Sequence, residues 1–251
     1  MQSAKLSEKK SVCYNYFHVP GGDEISLIRK SVVDSISREL GVISTPLNSL
    51  TVQWTDIQEC IKFLESNPRL RILKSVMSRD YFIGEIALFA GWFLALSSFV
   101  QSEYQTCIIF EGDLWINCEN YAALHQLQRI LRNLPGDTDL LFIYSPEDNF
   151  ERYKPEFDIS EFFCDNFNTW STAFTLITKV GAGKVLSLFE RGVDLALDGF
   201  LLSQPELGKY SLKPVQQAQY FSTYDRSWIG SQIDPSMGLV PRIMVTESHL
   251  S

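Results

Sequence analysis

Glu111 and Asp113 stand two residues apart, with only Gly112 between them, directly after the apolar run Thr-Cys-Ile-Ile-Phe at 106–110. In extended backbone, side chains at i and i+2 project to the same side, so both carboxylates can reach one place. Such an oxygen pair suits Mg²⁺ or Mn²⁺, which often take one or two carboxylates and complete their shell with substrate phosphates. A cation held there would neutralise a departing diphosphate. Gly112 leaves the backbone open to close approach by a ligand. Spacing alone also fits a plainer arrangement, with both acids in a solvated strand–helix loop.

The elements around this pair decide whether it sits where ligands bind. A short continuous apolar run such as 106–110 is expected of a strand covered on both faces. Ligands in open α/β sheets collect beyond the carboxyl ends of strands. Upstream, 11–17 (SVCYNYF) predicts a first strand that ends in a turn cluster at 18–22. Ile25, Ile28, Val32, Ile36 and Leu40 then mark an amphipathic helix. Strand, glycine turn and helix open a nucleotide-binding α/β domain, although Gly21-Gly22 is short of a full dinucleotide fingerprint. His18 in that turn is a candidate contact to a nucleotide, or simply a surface histidine. Residues 50–54 predict a second strand, and 55–58 fit a capping box for a helix with Ile57, Ile61 and Leu64 inward.

Residues 82–100 are almost continuously apolar and approach membrane-spanning length, interrupted by Glu85, Ser97 and Ser98. A charge well inside a span costs about 2.5 kcal/mol or more, and no basic flank anchors the segment. It is expected to be a buried helix, running approximately over 78–101, with a transmembrane span as the alternative. Leu124, Leu127, Leu131 and Leu134 mark another helix, and 139–144 (DLLFIY) another buried strand. The acidic, aromatic stretch 145–168 has no clean period and the length of a functional or mobile loop. Its aromatics and Trp170 suit stacking on sugar rings, or pinning the loop itself. A strand over 172–178 and a helix over 181–191 follow, and after Leu207 the chain reads as mostly irregular. Alternating strands and helices predict an α/β fold with a mainly parallel central sheet flanked by helices.

The bulk composition of the 251 residues narrows the partners. A formal net charge of −8 argues against a general nucleic-acid binder or an anionic-membrane binder, since both need a basic face. Five dispersed cysteines without a CxxC pair, with three histidines, argue against a zinc site or a disulfide framework. No apolar stretch follows the polar segment 1–10, so no secretory signal is read and a cytoplasmic location is expected.

Several of these segments together resemble glycosyltransferase family 25, which includes lipooligosaccharide and collagen galactosyltransferases. That family carries a Glu-Asp-Asp motif after an apolar strand, which residues 110–114 resemble with Gly112 in the middle place. Its Gly-Glu-hydrophobic segment leading into a helix is similar to Gly84-Glu85-Ile86-Ala87. Its aromatic–hydrophobic strand before a Lys-x-Gly-Ala-x-Lys-Leu-Leu helix is similar to 174–186 (FTLITKVGAGKVL). An aspartate beyond that helix matches Asp198, and less closely Asp194. The resemblance spans roughly 81–231.

The resemblance implies a single GT-A-like domain over 11–206, after a flexible tail at 1–10 and before an extension at 207–251 that packs on it. It implies transfer of a hexose, galactose first, from a UDP-sugar to a hydroxyl of a glycan or glycoconjugate, inverting and dependent on Mn²⁺ or Mg²⁺. Glu111 and Asp113 would hold the ion. Glu111, Gly112, Gly84 and Glu85 would line the donor, with His18 of the first turn, outside the resembling span, as a further candidate contact to it, and Asp198 or Asp194 would take the acceptor proton. The plainer role for Asp198 is a helix-terminal cap. No membrane span is implied, though peripheral membrane association is compatible. Two departures stand out: Gly112 replaces an acid, and Ala90-Gly91 stand where the family has Ser-His. They motivate an alternative, a weakened or inactive member that binds nucleotide or carbohydrate.

Overall fold

The structure, a computed structural model, describes residues 12–17, 31, 34, 37, 38, 41, 45, 46, 52, 54, 56–75, 80–111, 114–116, 122–144, 152–165, 171–215, 221–223, 244 and 245. Its strands are β1 (Val12–Phe17), β2 (Thr45–Pro46), β3 (Tyr81–Phe82), β4 (Thr106–Glu111), β5 (Leu114–Ile116), β6 (Leu140–Phe142), β7 (Phe163–Asp165), β8 (Phe174–Thr178), β9 (Lys209–Leu212), β10 (Phe221–Thr223) and β11 (Met244–Val245). Its helices are α1 (Ile57–Ser66), α2 (Ile83–Gln101), α3 (Ala122–Arg132), α4 (Lys179–Arg191) and α5 (Leu197–Ser203). The tail at 1–10 and most of the helix expected over 25–40 lie outside the described residues; positions 31, 34, 37 and 38 of that helix are helical.

Among the described residues, seven strands form the central sheet in the order β2-β1-β4-β8-β6-β9-β7. β1 runs parallel to β2 and β4, and β6 parallel to β9, whereas β8 is antiparallel to both its neighbours and β7 to β9. Five of the seven strands therefore point one way. This is the expected α/β plan, with a mainly parallel sheet between helices.

Each strand buries alternate residues on opposite faces. Cys13, Cys107, Ile109, Leu140, Phe142 and Ile177 join α2, α4 and α5 in one apolar cluster. Tyr14, Ile108, Phe110, Leu141 and Leu176 join Leu127 and Ile130 of α3 in the other. β4 is covered on both sides, as its unbroken apolar run requires.

α2 is apolar all round because it is the central helix of the first cluster. Phe89, Trp92, Leu96 and Phe99 are wholly buried. It is long and apolar enough to cross a membrane by length and composition, yet most of it is enclosed by the sheet and by α4 and α5. It starts at Ile83, later than 78, because Tyr81 and Phe82 are drawn into pairing with Met244 and Val245.

Other elements depart locally from the sequence expectation. The outer partner of β1 is Thr45–Pro46, and Val52 and Trp54 lie outside any strand. The N-cap of α1 is Asp56, whose Oδ1 accepts from the amides of Gln58 at 2.8 Å and Glu59 at 3.0 Å. The cap is thus one residue later than the expected Thr55, which lies outside the described residues. Lys209–Leu212, within the stretch read as irregular, is an inner strand between β6 and β7. The four described cysteines, Cys13, Cys60, Cys107 and Cys164, are buried free thiols.

Candidate active site

Glu111 is the last residue of β4, opposite Phe17 at the end of β1. It shares its sheet face with Cys107 and Ile109 by strand alternation, which puts it on the side covered by α2, α4 and α5. Its amide donates to the Ala173 carbonyl at 2.8 Å, and its Oε1 accepts from the Thr172 hydroxyl at 3.0 Å. The half-buried carboxylate is thus oriented by the start of β8. Gly112 and Asp113 lie outside the described residues, as does His18.

The second acidic group lies toward the same end of the sheet. Lys179, at the start of α4, donates its amide to the Gln105 carbonyl and its ammonium to the Ser102 carbonyl, so the C-terminus of α2 sits at the entry of β4. α2 then runs back over the sheet. Its 19 residues cover about 28 Å, against about 20 Å for the six of β4. Laid back along the strand, α2 would bring its N-terminus toward the carboxyl end of β4. α4 also runs away from the Thr106 end, and it delivers the turn at 192–196 to the same region.

Gly84 and Glu85 open α2. Glu85 is 5% exposed, and its Oε2 accepts from the Phe82 amide at 2.7 Å, the reciprocal half of a capping box. Asp198 lies in the first turn of α5, with Ala196 rather than itself at the N-cap. Its Oδ1 accepts from the Gly199 amide at 2.7 Å. Burial raises the Asp198 carboxyl above the ordinary carboxylate range. The amides of Gly199 and of Asp198 itself oppose that rise, and the nearby charge of Glu85 adds to it.

Tyr81 joins this group from β3. Its ring is 1% exposed, and its hydroxyl lies 3.3 Å from the Leu195 carbonyl and 3.5 Å from that of Val193. Burial raises its phenol strongly; a hydrogen bond from Ser75 opposes this, and the charges of Asp194 and Glu85 reinforce it. Glu85, Asp194, Asp198 and Tyr81 are thus one electrostatic neighbourhood. Resemblance to the family's motifs marked the three acids, while Tyr81 and Thr172 belong to none of those motifs.

Among the described residues no three His, Cys, Asp or Glu side chains gather as a metal cage. An ion that takes one or two carboxylates and fills its shell from phosphate needs no such cage. Glu111, an oxygen donor already oriented by a hydroxyl at a strand's carboxyl end, fits that mode of binding.

No protein-family model matches the chain, and no curated relative does. Among solved structures it is similar to a glycosyltransferase involved in glycosylation of the major capsid of PBCV-1. The identity is 8% and the TM-score 0.37, over 71% of this chain and 65% of that one. It is also similar to mannose-1-phosphate geranyltransferase from Thermus thermophilus, at 11% identity and TM-score 0.43, over 80% and 73% of the two chains. A third similarity is to mouse xyloside xylosyltransferase 1 in its apo form, at 16% identity and TM-score 0.35, over 78% and 70%. The chain spans just under two thirds of the first of these structures. Likenesses this distant concern backbone course, so the chemistry has to be argued from the site.

Proposed function

We propose that the chain is a sugar transferase that moves a hexose, galactose first, from a UDP-sugar to a hydroxyl of a glycan or glycoconjugate. The observation that carries this reading is the partly buried carboxyl of Asp198 in the first turn of α5, raised by burial and by Glu85; Glu111, at the carboxyl end of β4, is the separate candidate to hold the cation. A carboxylate of raised basicity is a better proton acceptor near neutral pH than an ordinary one.

In this mechanism Asp198 accepts the proton of the acceptor hydroxyl. The oxygen so freed attacks the anomeric carbon on the face opposite the leaving group, and the new C–O bond forms as the bond to phosphate breaks. The electron pair of that bond leaves on UDP, and configuration inverts. Glu111 and Asp113 would hold Mn²⁺ or Mg²⁺, which supplies charge neutralisation to the diphosphate. Glu85 and Gly84 line the approach from α2, and Asp194 is the second candidate for the base.

A UDP-hexose panel with and without Mn²⁺ tests the proposal, with thermal shift reporting binding and UDP release reporting turnover. Asp198→Asn is expected to keep donor binding and lose release. Absence of any metal-stimulated binding or release by the unaltered chain overturns the reading.

A second reading, a nucleotide- or carbohydrate-binding member without turnover, is favoured by one detail. Ala90 and Gly91, at the place of the family's Ser-His, are both buried within α2. Donor binding with no UDP release from the unaltered chain selects it.

A further inference from the structure

Tyr81 belongs to none of the motifs that suggested chemistry, yet its hydroxyl lies within hydrogen-bonding range of the carbonyls of both Val193 and Leu195. Those carbonyls flank Asp194 and lie three to five residues before Asp198. A phenol has one proton to donate, so it serves these two acceptors alternately, while Ser75 supplies the hydrogen bond that its oxygen accepts. The ring itself cannot drift. It is buried and packs edge-on against Phe89 of α2 at 6.3 Å between centroids, and its backbone pairs with Val245 of β11. A second tether, from 71–73, holds the same turn from another side: the Leu73 amide donates to the Val193 carbonyl at 2.8 Å, and the Val193 amide to the Arg71 carbonyl at 2.8 Å.

We propose that Tyr81 is a positioning residue, whose hydroxyl fixes the 193–195 turn and so holds the Asp198 carboxyl beside Glu85. The claim rests on the reading of Asp198 as the base only for its catalytic consequence. The groups facing Asp198 and the turn are Glu85 from α2, Tyr81 from β3 and Asp194 within the turn. Of the charged side chains in the adjoining segments, Arg69 pairs with Glu190 and Arg191 with Glu206. Without the phenolic tether, the turn opens more often, water reaches Asp198, and its distance from Glu85 is no longer set.

The test is Tyr81→Phe, which keeps the buried ring and removes one oxygen. Carboxyl-carbon NMR titration of Asp198, assigned with Asp198→Asn, and amide hydrogen exchange over 194–199 are read alongside UDP release. The expected result is an Asp198 midpoint moved down toward the ordinary aspartate range and exchange about fivefold to tenfold faster. UDP release then shows kcat down about tenfold with KM within about twofold. Ser75→Ala, which leaves Tyr81 in place, should move both NMR readouts the same way by less. An unchanged midpoint together with unchanged exchange in both variants overturns the proposal. If the unaltered chain releases no UDP but Tyr81→Phe still moves the midpoint and the exchange, the positioning role stands and the transferase reading falls.

Discussion

The Thr172 hydroxyl donates to Glu111 Oε1 at 3.0 Å, tying the segment that enters β8 to the carboxyl end of β4. Thr172 is 6% exposed, and its own carbonyl accepts from the Thr175 hydroxyl at 3.3 Å, so the donor is itself held in place. A carboxylate steered in this way has its plane set by its neighbour.

Thr172→Val keeps the shape and deletes the donor. On the metal-binding reading of Glu111, the Mn²⁺ concentration for half-maximal donor binding should rise about tenfold. Loss of one net hydrogen bond costs only about 1 kcal/mol of stability, so the melting temperature should fall by a few degrees at most. Manganese titration of the donor-induced thermal shift measures the first, and calorimetry the second.

Asp198→Asn should lower kcat by about 10²- to 10⁴-fold, the usual contribution of a positioned general base. It should also change the pH dependence of stability. Because the folded-state carboxyl binds its proton more tightly than the unfolded one, the native chain holds more protons between the two pKa values. Stability of the unaltered chain therefore falls as pH rises through that window, and above it the full penalty applies. The asparagine variant carries no such penalty. Melting curves across pH should show it the more stable protein near neutrality, with the gap closing below about pH 4, where unfolded aspartate is itself protonated.

How far these side chains were legible in the sequence follows from how far apart their partners lie along the chain. β4 is plain because 106–110 is apolar without interruption, and a strand buried on two faces has no other way to read. Glu85 was marked as a charge within an apolar run and by the resemblance of 84–87 to a Gly-Glu segment, while its role as a reciprocal cap emerges only with α2 starting at Ile83. Tyr81 was not, since its hydroxyl contacts Val193 and Leu195, 112 and 114 residues away. β9 escaped notice because four residues flanked by Lys213-Pro214 carry too little period, and its place between β6 and β7 is a tertiary fact. Capping at α1 was nearly legible: Thr55 and Asp56 both offer an oxygen in the sequence, and the amides of Gln58 and Glu59 donate to the aspartate.

Glu85→Gln isolates charge from shape. The amide oxygen can still accept from the Phe82 amide, so the start of α2 is retained, but the negative charge facing Asp198 is gone. Removing a like charge favours ionisation of its neighbour. The acidic limb of the kcat/KM profile should therefore shift to lower pH, with the alkaline side unmoved. A limb that stays in place would mean that Asp198 does not govern it.

Two glycines of α4, two positions apart across Ala182, should respond in opposite directions to alanine. A Cβ on Gly181 would lie 2.4 Å from the Asp139 carbonyl oxygen and 2.8 Å from the carbonyl carbon and Cα of the same residue. That backbone cannot yield easily: the carbonyl accepts from the Thr178 amide at 3.0 Å, and the Asp139 side chain, 3% exposed, is held by Lys184 and by the Gly208 amide at 2.8 Å. Helix and strand approach so closely here that only glycine fits. A Cβ on Gly183 meets nothing within 4 Å. Gly181→Ala should therefore cost about 3 kcal/mol, a fall in melting temperature of about 10 °C. Gly183→Ala removes a glycine from a helix interior with no clash, and should gain about 0.5–1 kcal/mol, a rise of about 2 °C. Differential scanning calorimetry of the pair decides whether the contact of α4 with β6 is as tight as the structure has it, and equal shifts in the two variants would refute it.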